Sequence, residues 1–225
     1  LWLSLILMFT TLILKAQVPV KAGPPKVHQQ ALVPQDPPLT PTQGGMSIDG
    51  RSLKVGDLIF TSVNTTSSML IRKFTGGGPA SHVAAVSDVS GGIVWIIEAV
   101  SGGVRKVELE QFLSENSHAV GFRCTMTSSQ IKIFSAYLND RVGVKYDFFG
   151  AGEAVFFKLN DRAVRVDYGE FKTKKTYCSK LLIEAFQQAN ISICSLTGGW
   201  STPNDLVKLI WTKDLAYVGH LKYTP

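Results

Sequence analysis

Cysteine and histidine are scarce in this sequence, three of the first and four of the second in 225 residues, and no two of them stand at the short spacing a structural zinc site needs. Three is also an odd number, so at least one of Cys124, Cys178 and Cys194 keeps its thiol unless it bonds another chain. Acidic residues are outnumbered, 17 against 23 basic ones, and the net charge of +6 favours anionic surroundings such as a cell wall, a lipid surface or nucleic acid. No motif interleaves aromatic and basic residues, which argues against nucleic acid as the partner. The glycines of "FTGGGPAS" lack the lysine and hydroxyl that follow in a phosphate-binding loop, and read as the rim of a cleft. No internal repeat stands out, and past residue 45 no apolar run is long enough to span a membrane. Any chemistry is therefore expected to come from the chain's own side chains, with no metal and no cofactor.

A hydrophobic content of 45% can bury a real core, enough for one domain with appendages. The first residues, "LWLSLILMFTTLIL", form an apolar run with the length of a secretory signal core, so residues 1–16 read as a signal peptide. Lys15 interrupts the small-residue cleavage pattern, which keeps an uncleaved membrane anchor as the alternative. Residues 17–45 hold seven of the ten prolines, a spacing that blocks helix and ladder hydrogen bonds and predicts an extended linker. The domain is expected over 46–225, outside the cell or in its envelope.

Within that span, "SLKVGDLIFTS" predicts a strand after a Gly-Asp turn, and "SSMLIRKFT" a short helix ending at the triple glycine. "SHVAAVSDV" and "IVWIIEAV" are β-branched runs separated by Gly-Gly, the pattern of an antiparallel hairpin. "GGVRKVEL" predicts a further strand, "ELEQFLSEN" a short helix, "HAVGFRCTM" a strand and "SSQIKIFSAYLNDRVG" a capped helix. In "TYCSKLLIEAFQQAN" the apolar residues Leu181, Leu182, Ala185, Phe186 and Ala189 recur at helical period, so a buried-face helix is expected with Cys178 in its first turn. "STPNDLVKLI" starts another helix, and "LAYVGHLKY" closes the chain as a strand. The order predicts an α+β fold.

A cysteine hydrolase needs a thiolate, an imidazole that moves its proton, and a polar group that fixes the imidazole. Cys178 at a helix start has amide hydrogens and the positive end of the macrodipole to favour a thiolate. His82 heads the first strand of the hairpin, and Glu98 lies near the end of the second. Each has a plainer reading, as a packed cysteine, a satisfied histidine and a surface glutamate. Yet within "VWIIEAV" a buried carboxylate needs a partner, and protonated His82 would serve. The hairpin register is not fixed by the sequence, but antiparallel pairing allows the two side chains to share a face.

In "VGDLIFTS", "SHVAAV", "IIEAV", "GGVRKVELEQF", "YDFFG" and "TYCSKLLIEAF", in that order, the chain resembles the circularly permuted NlpC-type branch of papain-like cysteine peptidases and amidases, the YiiX/YaeF-like group. The resemblance covers roughly Ser52 to Leu209. It implies a permuted papain-like fold, an antiparallel sheet packed against the cysteine helix, with the histidine strand first. It also implies Cys178 as nucleophile, His82 as base and then acid, and Glu98 as the orienting group. The Cys178 amide is expected to help form the oxyanion hole. Tyr177, Asp57 and Trp200 are candidates for substrate contact, each with a packing or turn role as the alternative. Tyr146 and Asp147 in "KYDFF" match a segment read as structural or cleft-lining, and His118 and His220 read as structural.

The function expected from this is exported hydrolysis of amide bonds, with the stem peptides of peptidoglycan as substrate. Partners would be wall peptide, a membrane through the amino-terminal segment, and an immunity protein if the chain is a toxin. Two alternatives stand beside it: a lipid acyltransferase or thioesterase of the permuted papain-like type, and a noncatalytic module that binds cell wall.

Overall fold

A computed structural model describes residues 46–63, 80–151, 175–191, 202–207, 209 and 214–223. The expected signal segment and linker, the helix and triple glycine at 64–79, and Trp200 lie outside them.

The frame is a six-stranded antiparallel sheet. Its strands are β1 (Leu58–Ser62), β2 (His82–Ser90), β3 (Ile93–Val100), β4 (Gly103–Glu108), β5 (His118–Cys124) and β8 (Leu215–Tyr223), in the order β4-β3-β2-β1-β5-β8. A second, two-stranded parallel pair joins β6 (Lys145–Tyr146) to β7 (Lys175–Thr176). The helices are α1 (Leu109–Ser114), α2 (Ser128–Asp140), α3 (Cys178–Gln188) and α4 (Pro203–Val207). The predicted strands and helices that fall on described residues appear where the periodicity put them, in a mixed α/β arrangement around an antiparallel sheet.

β1 lies at the centre and is buried throughout. Period-two alternation sends Leu58 and Phe60 to one face and Ile59 to the other, so each face carries its own core cluster. Leu58 and Phe60 pack with Phe134 and Leu138 of α2 and Leu181, Leu182 and Phe186 of α3. Ile59 packs with Ala84, Val86, Ile96 and with Leu109 and Phe112 of α1. A strand covered on both faces reads as a continuous apolar run, which is why "DLIF" shows no polar alternation.

Two local devices orient what lies near the cysteine helix. α2 starts with a full capping box, Thr127 with Gln130, and lays Phe134 against Phe186 of α3 with ring centroids 4.7 Å apart. β6 runs beside β7, pairing Tyr146 with Thr176, and so sets "YD" next to Tyr177 and Cys178. Hairpin β2–β3 turns through Gly91 and Gly92, both at positive φ, and its register shifts between Val86 and Asp88.

Candidate active site

Cys178 is the first residue of α3, and the helix owes its place to its own sequence: Leu181, Leu182, Ala185 and Phe186 all bury into the core. Burial fixes the helix axis, and with it the place of Cys178, which as a residue stays 7% exposed. Tyr177, the residue before it, supplies no side-chain cap. The helix-start amides are therefore open to other acceptors, and the Ser179 amide hydrogen turns to the Cys178 sulfur, as does that of Val83.

His82 opens β2 level with Thr61 of β1. Its Nε2 lies 2.7 Å from Oε2 of Glu98, which leaves Nδ1 for the hydrogen bond to Cys178. Glu98 is 2% exposed, and the imidazole 20%. Burial alone would discharge all three groups, but each is overruled by its neighbours. Burial works against the imidazolium, yet the bonds to Cys178 and Glu98 hold the His82 pKa up at about 10. Burial likewise opposes the Cys178 thiolate, and the imidazolium with two amide hydrogens brings its pKa below the ordinary 9.0. Glu98, also opposed by burial, is kept below 4.5 by His82 and Arg105. Both shifts run in the direction that favours a thiolate–imidazolium pair, with a carboxylate behind the imidazole.

Residues 52–198 match the family of permuted papain-like amidases, YaeF/YiiX, C92. The chain belongs to this family. It is thus an enzyme of the cysteine peptidase and amidase class, with the permuted papain-like fold in which the histidine strand precedes the cysteine helix. Among curated proteins it is similar to the probable lipoprotein peptidase YaeF of Escherichia coli K12, 25% identical over 205 residues, which are 78% of this chain and 73% of that protein. Among solved structures it is similar to the metalloprotein yiiX of Escherichia coli O157:H7, at 16% identity and a TM-score of 0.49 over 76% of this chain and 89% of that one.

Of the other residues expected at a permuted papain-like site, Asp57 takes the turn role that was its alternative reading. It sits four residues before Thr61, at the far end of β1 from His82. It is 1% exposed, and Arg123 clamps it, Nε donating to Oδ1 and Nη2 to Oδ2, each at 2.6 Å. Oδ2 also accepts from the Lys54 amide, closing the turn, so both oxygens of this buried carboxylate are held by the fold. Tyr177 is 3% exposed, and burial followed by the charge of Cys178 raises its phenol pKa. Tyr146 feels the same two influences, and it packs at the edge of the core cluster that holds Cys178. Asp147 holds a local turn, its Oδ1 accepting from the Gly150 amide. Trp200 is not among the described residues.

Two neighbours went unread in the sequence. Arg105 faces Glu98 directly across the β3–β4 ladder, and Lys180 is buried two residues past Cys178, donating to the Lys175 carbonyl at 3.3 Å. The signal for Arg105 was present: the two-residue turn Ser101–Gly102 pairs Val100 with Gly103, and counting back sets Glu98 opposite Arg105. No group of three or more His, Cys, Asp or Glu among the described residues could hold a metal ion, and no described helix is long and apolar enough to cross a membrane.

Proposed function

We propose that this chain is an exported amidase or endopeptidase that cuts amide bonds in the stem peptides of peptidoglycan, with Cys178, His82 and Glu98 as its catalytic set. The observation that carries the reading is the imidazole of His82, shared between the Cys178 thiol and the Glu98 carboxylate. The Cys178 thiolate attacks the carbonyl carbon, and the oxyanion that forms is met by the Cys178 amide hydrogen at the helix start. Nδ1–H of His82 gives its proton to the departing amine, and the C–N bond breaks to leave a thioester on Cys178. Neutral His82 then takes a proton from water, hydroxide adds to the thioester carbon, and the carboxylic acid leaves as the thiolate returns. Glu98 accepts from Nε2–H throughout and stabilises the imidazolium, as an orienting carboxylate does in a triad.

Export and a wall substrate are supported by the apolar segment at 1–16, the Pro-rich stretch at 17–45 and the net charge of +6. The name of the curated relative, a probable lipoprotein peptidase, agrees with an envelope location. One observation favours a second reading, acyl transfer or hydrolysis on a lipid: Phe148 and Phe149, beside Tyr146, are 64% and 68% exposed.

Incubating the full chain with purified peptidoglycan and, separately, with phospholipid vesicles tests both, with released fragments identified by mass spectrometry. Stem-peptide fragments that vanish in Cys178→Ala support the amidase. Acyl products alone favour the lipid reading, and product from neither contradicts both.

A further inference from the structure

Across the sheet, the charges at the site continue past Glu98. Arg105 of β4 donates from Nε at 2.8 Å and from Nη2 at 2.6 Å, both to Oε1 of Glu98, the oxygen His82 does not use. The far side of the guanidinium meets Glu115, at the end of α1, through Nη1 at 3.4 Å and through a close Nη2 contact with Oε2. From the sulfur outward the signs alternate: thiolate, imidazolium, carboxylate, guanidinium, carboxylate. Three adjacent strands supply the middle three members, His82, Glu98 and Arg105.

We propose that Arg105 is a positioning residue: by holding Oε1 of Glu98 it fixes the carboxylate in the orientation that turns Oε2 to His82, and so keeps the imidazole aimed at Cys178. This rests on the reading of Cys178, His82 and Glu98 as the catalytic set. A glutamate has rotatable bonds that one hydrogen bond to an imidazole does not fix, whereas a guanidinium gripping the second oxygen with two N–H groups anchors that oxygen too, so both ends of the carboxylate are held. Cross-strand register delivers the guanidinium from directly opposite, without a long reach. Simple charge neutralisation would make a lysine equivalent to the arginine; positioning would not.

Other groups face the pair from every side. Glu98 approaches His82 from β3, with Arg105 and then Glu115 behind it, while Thr61 on β1 brings only a hydroxyl. On the sulfur's side stand Tyr146 and Tyr177, with Asp147 and Glu184 acting on Tyr177, and Lys180 lies 3.9 Å from Asp147. Both phenols are held neutral by burial, so the titration read at Cys178 belongs to the thiol and the imidazole.

The test is the rate of Cys178 alkylation by iodoacetamide from about pH 4 to about pH 11, assigned by peptide mass, together with kcat and KM on peptidoglycan fragments, in wild type, Arg105→Met and Arg105→Lys. Arg105→Met is expected to lower kcat roughly tenfold or more with KM little changed, and to move the acid limb of alkylation to higher pH. Arg105→Lys is expected to fall between the two. Arg105→Met that folds and keeps the wild-type kcat and alkylation profile overturns the proposal, even if its melting temperature drops. Should Arg105→Met fail to fold, Arg105→Lys decides, since wild-type kcat and profile with a lysine would show that charge alone suffices. Failure of the underlying reading looks different: wild-type Cys178 would itself show no alkylation at mildly acidic pH.

Discussion

Nε2 of His82 reaches Oε2 of Glu98 at 2.7 Å, although the turn joining their strands starts a register that would hold them apart. From the Gly91–Gly92 turn, Ser90 pairs with Ile93, Val89 with Val94 and Asp88 with Trp95. Continued unchanged, that ladder would set Glu98 level with Ala85 and put His82 on the opposite face, because side chains alternate at every residue. The ladder instead slips at Ser87, after which Val86 pairs with Ile96 and Ala85 with Ile97. One step further on, Glu98 comes level with Ala84, and His82 becomes its diagonal neighbour on the same face. Ser87 is held in the bulge from two sides: its Oγ donates to the Trp95 carbonyl at 3.2 Å, and Ser135 of α2 donates to its own carbonyl at 2.6 Å. Deleting Ser87 should leave Val86 opposite Ile96 in an unbroken ladder and so keep His82 beside Glu98, with hydrolysis retained at a cost in stability, and Ser87→Ala should cost about 1 kcal/mol of stability by denaturant titration and leave activity within a few-fold.

Cys178→Ala should remove hydrolysis, a loss of about a thousandfold or more, with the circular dichroism spectrum unchanged. A small residue replaces a small one in the packed first turn of α3, so the helix stays where its apolar face holds it. Comparing turnover with thermal unfolding checks the separation of chemistry from fold.

Glu98→Gln should keep more activity than His82→Ala, because an amide oxygen still accepts from Nε2–H. It should also change acid stability. The folded pKa of Glu98 lies below 4.5, so its stabilisation is complete above that value and is lost as the pH falls through the folded one. Denaturant titrations at mildly acidic and strongly acidic pH should show wild type losing more stability on acidification than Glu98→Gln.

Asp57→Asn should behave in the opposite way, lowering stability by roughly 3 kcal/mol because Arg123 loses its buried carboxylate, while kcat/KM of the folded enzyme stays close to wild type. A large fall in kcat/KM without loss of stability would put Asp57 back at the substrate.

Gly103→Ala tests the register that sets Glu98 against Arg105. Gly103 opens β4 at φ +118, and a methyl group there would stand 2.7 Å from the Val144 carbonyl oxygen. A stability loss of about 1–3 kcal/mol by denaturant titration is expected.

Much of this architecture is legible in the sequence because it rests on periodicity. The hairpin, the cysteine helix and the closing strand follow from β-branched runs, Gly-Gly and the spacing of Leu181, Leu182, Ala185 and Phe186. The bulge at Ser87 is not legible, since a serine within a strand looks the same whether paired or extruded. Asp57 illustrates another limit: a turn aspartate near a motif carries no mark that Arg123, sixty-six residues on, will occupy both its oxygens. Arg105 was readable by counting across a two-residue turn, but only once Glu98 is known to be buried.

The most direct measurement is the alkylation of the native protein at mildly acidic pH, read cysteine by cysteine. Cys124 is buried, and that burial with the charge of Asp214 lifts its pKa to about 11, so it should stay unmodified there. Cys178 should react first, with a rate that climbs as the pH rises through its lowered pKa and changes again near pH 10 as His82 loses its proton. A protein in which Cys178 reacts no faster than an ordinary thiol, while hydrolysis survives its replacement by alanine, contradicts the account.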